Sequence, residues 1–233
     1  MGAGAQPRTA DSGHLRSMAR GGGLNVMGAV SSQLSLLAIT LLLAHTLGSR
    51  QVGRYAECYA LLSLLGLLSL CGFRAAMTRF VAIHLADEDP ARLRGTIRLG
   101  LGLSLGSSAV IGIVLAGLAV PISQLFHDPA LVTGLRLTGL TLPAATFTDA
   151  ALSATQGWRT QRPFTMIGRV YEPITRLALT AAALLAGAGI DGAFWALAIA
   201  AWSASLIAAR ALYLRRRPVP RAVPFAGLRA LLG

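Results

Sequence analysis

Long apolar runs, separated by short polar stretches, alternate along the whole chain. Each run approaches the length of about 20 residues that a helix needs to cross the hydrocarbon core of a membrane. The second run is overlong and is interrupted at Gly72 and Arg74, so we expect one bent helix with a polar extension there. The fourth run is the most polar of the set. The pattern predicts six spans, at 22–47, 56–84, 97–120, 131–153, 173–190 and 193–214.

Small residues are dense in three of these spans, for example in the stretch GLGLSLGSSAVIG of the third. They allow helices in a membrane to approach one another closely. We therefore expect an all-α, polytopic membrane protein with about six transmembrane helices. The predicted organisation is a cytoplasmic tail at 1–21, a six-helix transmembrane region at 22–214, and a basic linker with the start of an incomplete seventh helix at 215–233. The early end of that last apolar segment leads us to expect a fragment of a longer protein.

The distribution of charge supports a location in the membrane and predicts on which side of it the termini lie. Only 13% of the residues are charged, about half the share expected of a soluble domain. The net charge of +12 does not indicate nucleic-acid binding, because the arginines lie in short blocks between apolar runs and form no continuous basic face. With six spans, seventeen arginines fall on one side of the membrane and three on the other. The excess predicts that both termini are cytoplasmic.

Catalytic chemistry has little support in the sequence. The connections between spans are short, and we find no Ser/His/Asp set, no metal-ligand spacing and no phosphate-cradling loop. The acidic trio Asp87, Glu88 and Asp89 precedes Pro90, an order typical of the start of a helix. We therefore expect neither an enzyme nor a cofactor or metal, and we look for function among the polar groups inside the spans.

Glu172 and Arg176 open the fifth predicted span. They are four residues apart with the glutamate first, the favourable order for an ion pair on a helix. In one interpretation Glu172 caps the helix ahead of Pro173, and Arg176 extends to the membrane interface. In the other, Arg176 lines a cavity that faces the cytoplasm and accepts an anionic substrate.

Four further polar residues lie inside predicted spans, where ionisable groups are candidates for function. Arg74 and Arg79 are five residues apart, so they point in different directions around a helix and serve either as interface anchors or as ligands of an anion. Asp149 needs a partner or a proton, which suggests either an interhelical hydrogen bond or coupling to an ion. Asn25 is an uncharged polar residue in the first span.

Three stretches, taken in order, resemble a transporter family. They are LLLAHTLGSRQVGRYAECYALLSLLGLL, LCGFRAAMTRFVA and ALSATQGWRTQRPFTMIGRVYEPITRLALTAAALLAGAGIDGAFWALA. They are similar to the opening helix, the end of the second helix and the fourth to sixth helices of the polysaccharide flippases of the multidrug/oligosaccharidyl-lipid/polysaccharide exporter superfamily. The resemblance extends over 22–214. It implies that the six helices form one lobe, the N-terminal one, of a two-lobe transporter.

The resemblance implies transport of undecaprenyl-pyrophosphate-linked glycans from the inner to the outer leaflet of a bacterial inner membrane by alternating access. It also implies that arginines in a central cavity receive the pyrophosphate, as guanidinium groups can by bidentate hydrogen bonds. Arg79 matches the family pattern best and Arg74 follows it, whereas Arg176 rests on the cavity argument. The expected partners are the lipid-linked glycan, membrane lipids, a missing C-terminal lobe or second copy, and other glycan-assembly proteins.

Two other functions stay open at this point. A cation-coupled exporter of small molecules from the same superfamily would give Asp149 the role of ion site. A non-transporting membrane scaffold for glycan-assembly enzymes would need none of the charges inside the spans.

Overall fold

A computed structural model describes residues 11–70, 73–87, 89–158 and 160–215. Two predicted features therefore lie outside it in part. They are residues 1–10 of the cytoplasmic tail, and residues 216–233 of the linker and incomplete seventh helix. Residues 11–21 of the predicted tail form the beginning of the first helix, which starts earlier than the apolar pattern indicates.

The described residues form eight α-helices and one π-helical segment, with no strand, so the predicted all-α fold is confirmed. The helices are α1 (Asp11–Leu47), α2 (Ser49–Leu70), α3 (Phe73–Ala86), α4 (Pro90–Gly117), α5 (Ala119–Leu125), α6 (Leu131–Gln156), α7 (Glu172–Leu185) and α8 (Gly189–Arg215), and the π-helical segment is Phe164–Tyr171.

Helices occupy all six predicted spans, but not all of them have the length and hydropathy of a membrane-crossing segment. Asn25–Leu47, Pro90–Gly117 and Gly189–Leu214 do, and α2 with α3 makes a fourth if this pair, bent by 42°, is one span. The bend accounts for the overlong second run; Gly72 itself lies outside the described residues. The helices α6 and α7 do not meet the criterion. Most residues of α6 are buried against other helices, and this burial is compatible with its many threonines.

The start of α4 follows the sequence prediction. The Asp89 side chain accepts hydrogen bonds from the backbone N–H groups of Ala91 and Arg92, and Pro90 occupies the first turn, where its missing N–H breaks no helical bond. These bonds keep the pKa of the Asp89 carboxyl below its ordinary value, the bond from Arg92 being the main cause.

The start of the fifth predicted span differs from the prediction. The chain is already helical from residue 162, and Tyr171 has helical torsion angles and provides no side-chain cap. The interpretation in which Glu172 caps the fifth predicted helix is therefore wrong. Proline within a helix lacks a donor and clashes with the carbonyl four residues earlier. The wider π-helical turns end at Tyr171, just before Pro173, where they relieve that clash.

The helix α6 lies at the centre of the lobe, against α2, α4 and α8. Its closest approach is to α4, at Gly139 and Gly112. A Cβ atom on Gly139 would lie 2.5 Å from the carbonyl oxygen of Gly112, and the reverse substitution meets the carbonyl of Gly139. The close approach that the small residues of the third span predict is thus confirmed.

A closed ion pair joins the start of α2 to the loop before α6. The Nε and Nη2 atoms of Arg54 each donate to one carboxylate oxygen of Asp128 at 2.6 Å, and the two side chains are only 12% and 14% exposed. The same carboxylate accepts a hydrogen bond from the backbone N–H of Ala130. The hydrogen bond from Arg54 is the main reason why the pKa of Asp128 is lowered.

Candidate functional site

A cavity of about 320 Å³ lies between α2, α3, α6, α7 and α8. Its walls are apolar along α2 and α8, where the lining side chains are mainly leucine and alanine. Four of the ionisable residues singled out in the sequence also line it: Arg74, Asp149, Glu172 and Arg176. The fold therefore gathers two guanidinium groups and two carboxylates, from three helices, around one space.

Arg74 of α3 is the interhelical partner that Asp149 of α6 requires. The Nη2 atom of Arg74 lies 2.6 Å from Oδ2 of Asp149, although the residues are 75 positions apart in the chain. The side chains are 50% and 43% exposed, so the pair faces the cavity and its opening. One turn further along α3, the Thr78 hydroxyl donates to the carbonyl oxygen of Ser153. These two contacts join α3 to the last third of α6.

Arg176 and Glu172 form a looser pair on α7. The Nη1 atom of Arg176 lies 3.7 Å from Oε1 of Glu172, beyond hydrogen-bond range, and the arginine side chain is only 2% exposed. Among the described residues, its Nε–H has no hydrogen-bond partner. The pairing expected from the sequence is present. Of the two interpretations of Arg176, the one in which it extends to the membrane interface is wrong, because its guanidinium is buried in the cavity wall.

An aromatic ring compensates the buried charge of Arg176. The guanidinium carbon lies 4.8 Å from the ring centroid of Tyr59, which belongs to α2 and also lines the cavity. A cation above an aromatic face is attracted by the negative face of the ring. Tyr59 is not among the candidate residues that the sequence pattern predicts. The only signal was its spacing of four residues from Tyr55, which places both rings on the same face of a helix. In an apolar run this spacing does not show whether that face is buried or contacts lipid.

The two remaining candidates lie away from the cavity wall. Arg79 is exposed and borders a shallow depression that it shares with Arg74, Thr78 and Gln156. Asn25 lies on α1, where its backbone carbonyl accepts a 3.5 Å hydrogen bond from Nη1 of Arg169, and its buried Oδ1 has no partner among the residues described.

The charges around the cavity balance one another when all four groups are ionised. Guanidinium groups suit phosphate and carboxylate oxygens, because their planar donors match two acceptors at once. Arg74 can exchange a carboxylate oxygen for a ligand oxygen, since its pair is half exposed. Within the described ranges no three His, Cys, Asp or Glu side chains are grouped to hold a metal ion.

Solved structures with a similar fold are transporters. One is described as the outward-facing conformation of a multidrug resistance MATE family transporter of the MOP superfamily; it has a TM-score of 0.74 and 13% sequence identity. A crystal structure of a MATE mutant has a TM-score of 0.73 and the same identity. The match covers 82% of this chain and 43% of each transporter, so the chain spans less than half the length of these proteins and resembles one lobe of them.

Comparison with curated proteins found no match. The family comparison is more extensive, since residues 18–229 match the family described as polysaccharide biosynthesis protein. The match spans the helical lobe and the whole wall of the cavity. The chain belongs to this polysaccharide biosynthesis family, and its all-helical fold is similar to one lobe of the two MATE structures.

Proposed function

We propose that the chain is one lobe of a flippase that moves undecaprenyl-pyrophosphate-linked glycans from the inner to the outer leaflet of a bacterial inner membrane. It works by alternating access together with a second lobe or a second copy, and both termini of the lobe are cytoplasmic. Membership of the polysaccharide biosynthesis family supports the glycan as substrate. The observation that carries the proposal is the cavity lined by Arg74 and Arg176.

The two arginines bind different parts of the substrate headgroup, which is the pyrophosphate of the lipid-linked glycan. Arg74 is half exposed, so phosphate oxygens reach it first and replace Asp149 as its partner. Arg176 lies deeper, and its Nε–H is left to donate to a second phosphoryl group. Charge-assisted hydrogen bonds of this kind contribute about 1.5–3 kcal/mol each. Arg79, in the adjoining depression, attracts the headgroup before it enters the cavity.

Transport of a fluorescent lipid-linked glycan by the intact transporter in proteoliposomes tests this role. We expect Arg176→Ala and Arg74→Ala to lower the initial rate by about 10- to 100-fold each, as the loss of one charge-assisted bond predicts. The corresponding lysine variants retain the charge and should lose less. Arg79→Ala should have the smallest effect of the three.

Arg136→Ala is the matched control, because this arginine is exposed and lies on α6, the helix of Asp149, outside the cavity wall. It should transport at the normal rate. Normal transport by both cavity variants would refute the headgroup role. The scaffold function would be favoured by a different result. In that case, a variant with all cavity charges neutralised would no longer transport but would still bind glycan-assembly proteins normally.

A cation-coupled exporter of small molecules is the second candidate. Two carboxylates, Asp149 and Glu172, line the same cavity, and one of the similar structures is a multidrug resistance transporter. In this case a proton gradient should drive export of a lipophilic cation, and Asp149→Asn should abolish it. The flippase assay on the same vesicles, with and without the gradient, distinguishes the two functions.

A further inference from the structure

Arg176 is in an unusual position for a buried charge. Its guanidinium is almost completely removed from solvent, yet the carboxylate of Glu172 lies beyond hydrogen-bond range and the Nε–H is unpaired within the part of the chain that the structure describes. Removing a charge from water is costly unless other groups compensate it. The charge of Glu172 attracts this guanidinium, but without a hydrogen bond between the two groups it does not fix the direction in which the guanidinium points.

A column of three stacked rings supports the guanidinium. The ring of Tyr59 lies under the guanidinium at 4.8 Å. The ring of Tyr55 is parallel to that of Tyr59 within 4°, with a centroid separation of 6.3 Å, and the ring of Phe194 follows at 5.7 Å. The column thus runs from the cavity wall into the core, and rings from α2 and α8 contribute to it.

The inner end of the column cannot shift easily. Phe194 is buried and packs against Gly134 of α6, where an added Cβ atom would lie 2.7 Å from its ring. Tyr55 is also buried. Because both inner rings are fixed by the core, the outermost ring presents its face to Arg176 in one defined orientation.

We propose that Tyr59 is the positioning residue of the headgroup site. Its ring face holds the charged guanidinium of Arg176 in one orientation, aimed at the cavity and ready to receive a lipid-borne diphosphate. This inference rests on the proposed function. It assigns the orientation of Arg176 to the cation–π contact with Tyr59. Glu172 attracts the guanidinium electrostatically across 3.7 Å, but no hydrogen bond between them fixes its direction.

The test is equilibrium binding of undecaprenyl pyrophosphate to the intact transporter in nanodiscs, with inorganic pyrophosphate in a parallel series. Tyr59→Leu removes the ring, and we expect affinity for the lipid to fall about tenfold, the loss that a desolvated cation–π contact predicts. Tyr59→Phe keeps the ring face and should stay within about twofold of wild type. Tyr59→Met is a second ring-free variant, for use if Tyr59→Leu does not fold.

Tyr213→Leu is the matched control, because it removes the same ring from a tyrosine that is exposed on α8 and does not line the cavity. A double-mutant cycle completes the test. In an Arg176→Ala background, Tyr59→Leu should cause no further loss. A structural role of Tyr59 would lower affinity equally in both backgrounds and would overturn the proposal, as would a Phe variant as weak as the Leu variant.

The outcomes separate this inference from the function on which it rests. If Arg176→Ala weakens binding and Tyr59→Leu does not, the positioning role fails and the headgroup site stands. If the wild-type protein binds neither probe, the proposed function fails and the positioning role fails with it. Equal binding of inorganic pyrophosphate and the lipid would mean that the site recognises the diphosphate alone, and would overturn the assignment of a lipid-borne ligand.

Discussion

Two arginine–carboxylate contacts of the same length lie near the two ends of α6, in opposite settings. Near its start, Arg54 holds Asp128 through two hydrogen bonds of 2.6 Å, and both side chains are almost buried. Near its end, Arg74 holds Asp149 through one bond of 2.6 Å, and about half of each side chain is exposed. Packing differs in the same way, because the first half of α6 touches α4 backbone to backbone and the second half borders the cavity.

The difference shows that the length of an ion pair does not reveal its role. A bidentate pair whose oxygens are all engaged has nothing left to offer a ligand, and it fixes the loop before α6. In a monodentate pair at the edge of a cavity, some donors and acceptors are not engaged within the pair. A ligand can therefore bind them and replace one partner. The start of α6 therefore serves stability, whereas its end is suited to exchange.

The largest effect should come from filling the α4–α6 contact. Gly139→Val places side-chain atoms against the carbonyl of Gly112, and no rotation of a neighbouring side chain relieves a clash with backbone. We expect a loss of about 3 kcal/mol or more, or failure to accumulate in the membrane. Thermal unfolding in detergent measures it.

Gly106→Ala is the control on α4, because among the described residues no atom outside the adjoining turns of α4 itself lies within 4 Å of the added Cβ. It should be neutral or slightly stabilising, by up to about 1 kcal/mol. A Gly139→Val protein as stable as this control would show that the first half of α6 is not closely packed.

The second-largest effect should come from exchanging the two residues of each ion pair, because the two pairs should respond differently. The double variant Arg74→Asp/Asp149→Arg keeps an opposite-charge pair but moves the guanidinium from α3 to α6. We expect transport to fall about tenfold or more, because the donor is misplaced for the headgroup, with little change in Tm since the pair is exposed.

The same exchange at the closed pair, Arg54→Asp/Asp128→Arg, should leave transport unchanged in any protein that folds. If the exchange abolished transport at Arg54–Asp128 and left it intact at Arg74–Asp149, the roles assigned to the two pairs would be wrong.

The smallest effect should be the pH dependence of the closed pair. The pKa of Asp128 is lower in the folded protein than its ordinary value, so the pair stabilises the fold above the unfolded-state pKa and loses this contribution as pH falls through the folded-state value. At pH 7, Asp128→Asn should lower Tm relative to wild type. The gap should shrink below about pH 4. A gap that is constant between pH 7 and pH 3 would contradict the prediction.

Local pattern was enough to predict much of the fold. Apolar runs located the helices, and the Asp89-Pro90 pair gave the start of α4 with its cap. The spacing of Glu172 and Arg176 predicted their pairing on one helix. These features depend on residues within a turn of each other, so the sequence contains the information directly.

The site depended on contacts that the sequence does not encode locally. Arg74 and Asp149 are 75 residues apart, and only the packing of α3 on α6 makes them partners. Burial of Arg176 depends on Tyr59 from another helix. In a membrane protein the lipid-facing and core-facing sides of a helix are both apolar, so hydrophobic pattern cannot show which side an arginine or tyrosine occupies.

The unbroken helix from residue 162 to Leu185 has a mechanical consequence. Arg169, in the π-helical segment, packs against Gly28 of α1, and Glu172 and Arg176 reach the cavity less than two turns further on. A continuous helix transmits torque along its axis. A rotation of α1 against Arg169 would therefore pass along this helix to the two charges at the cavity wall.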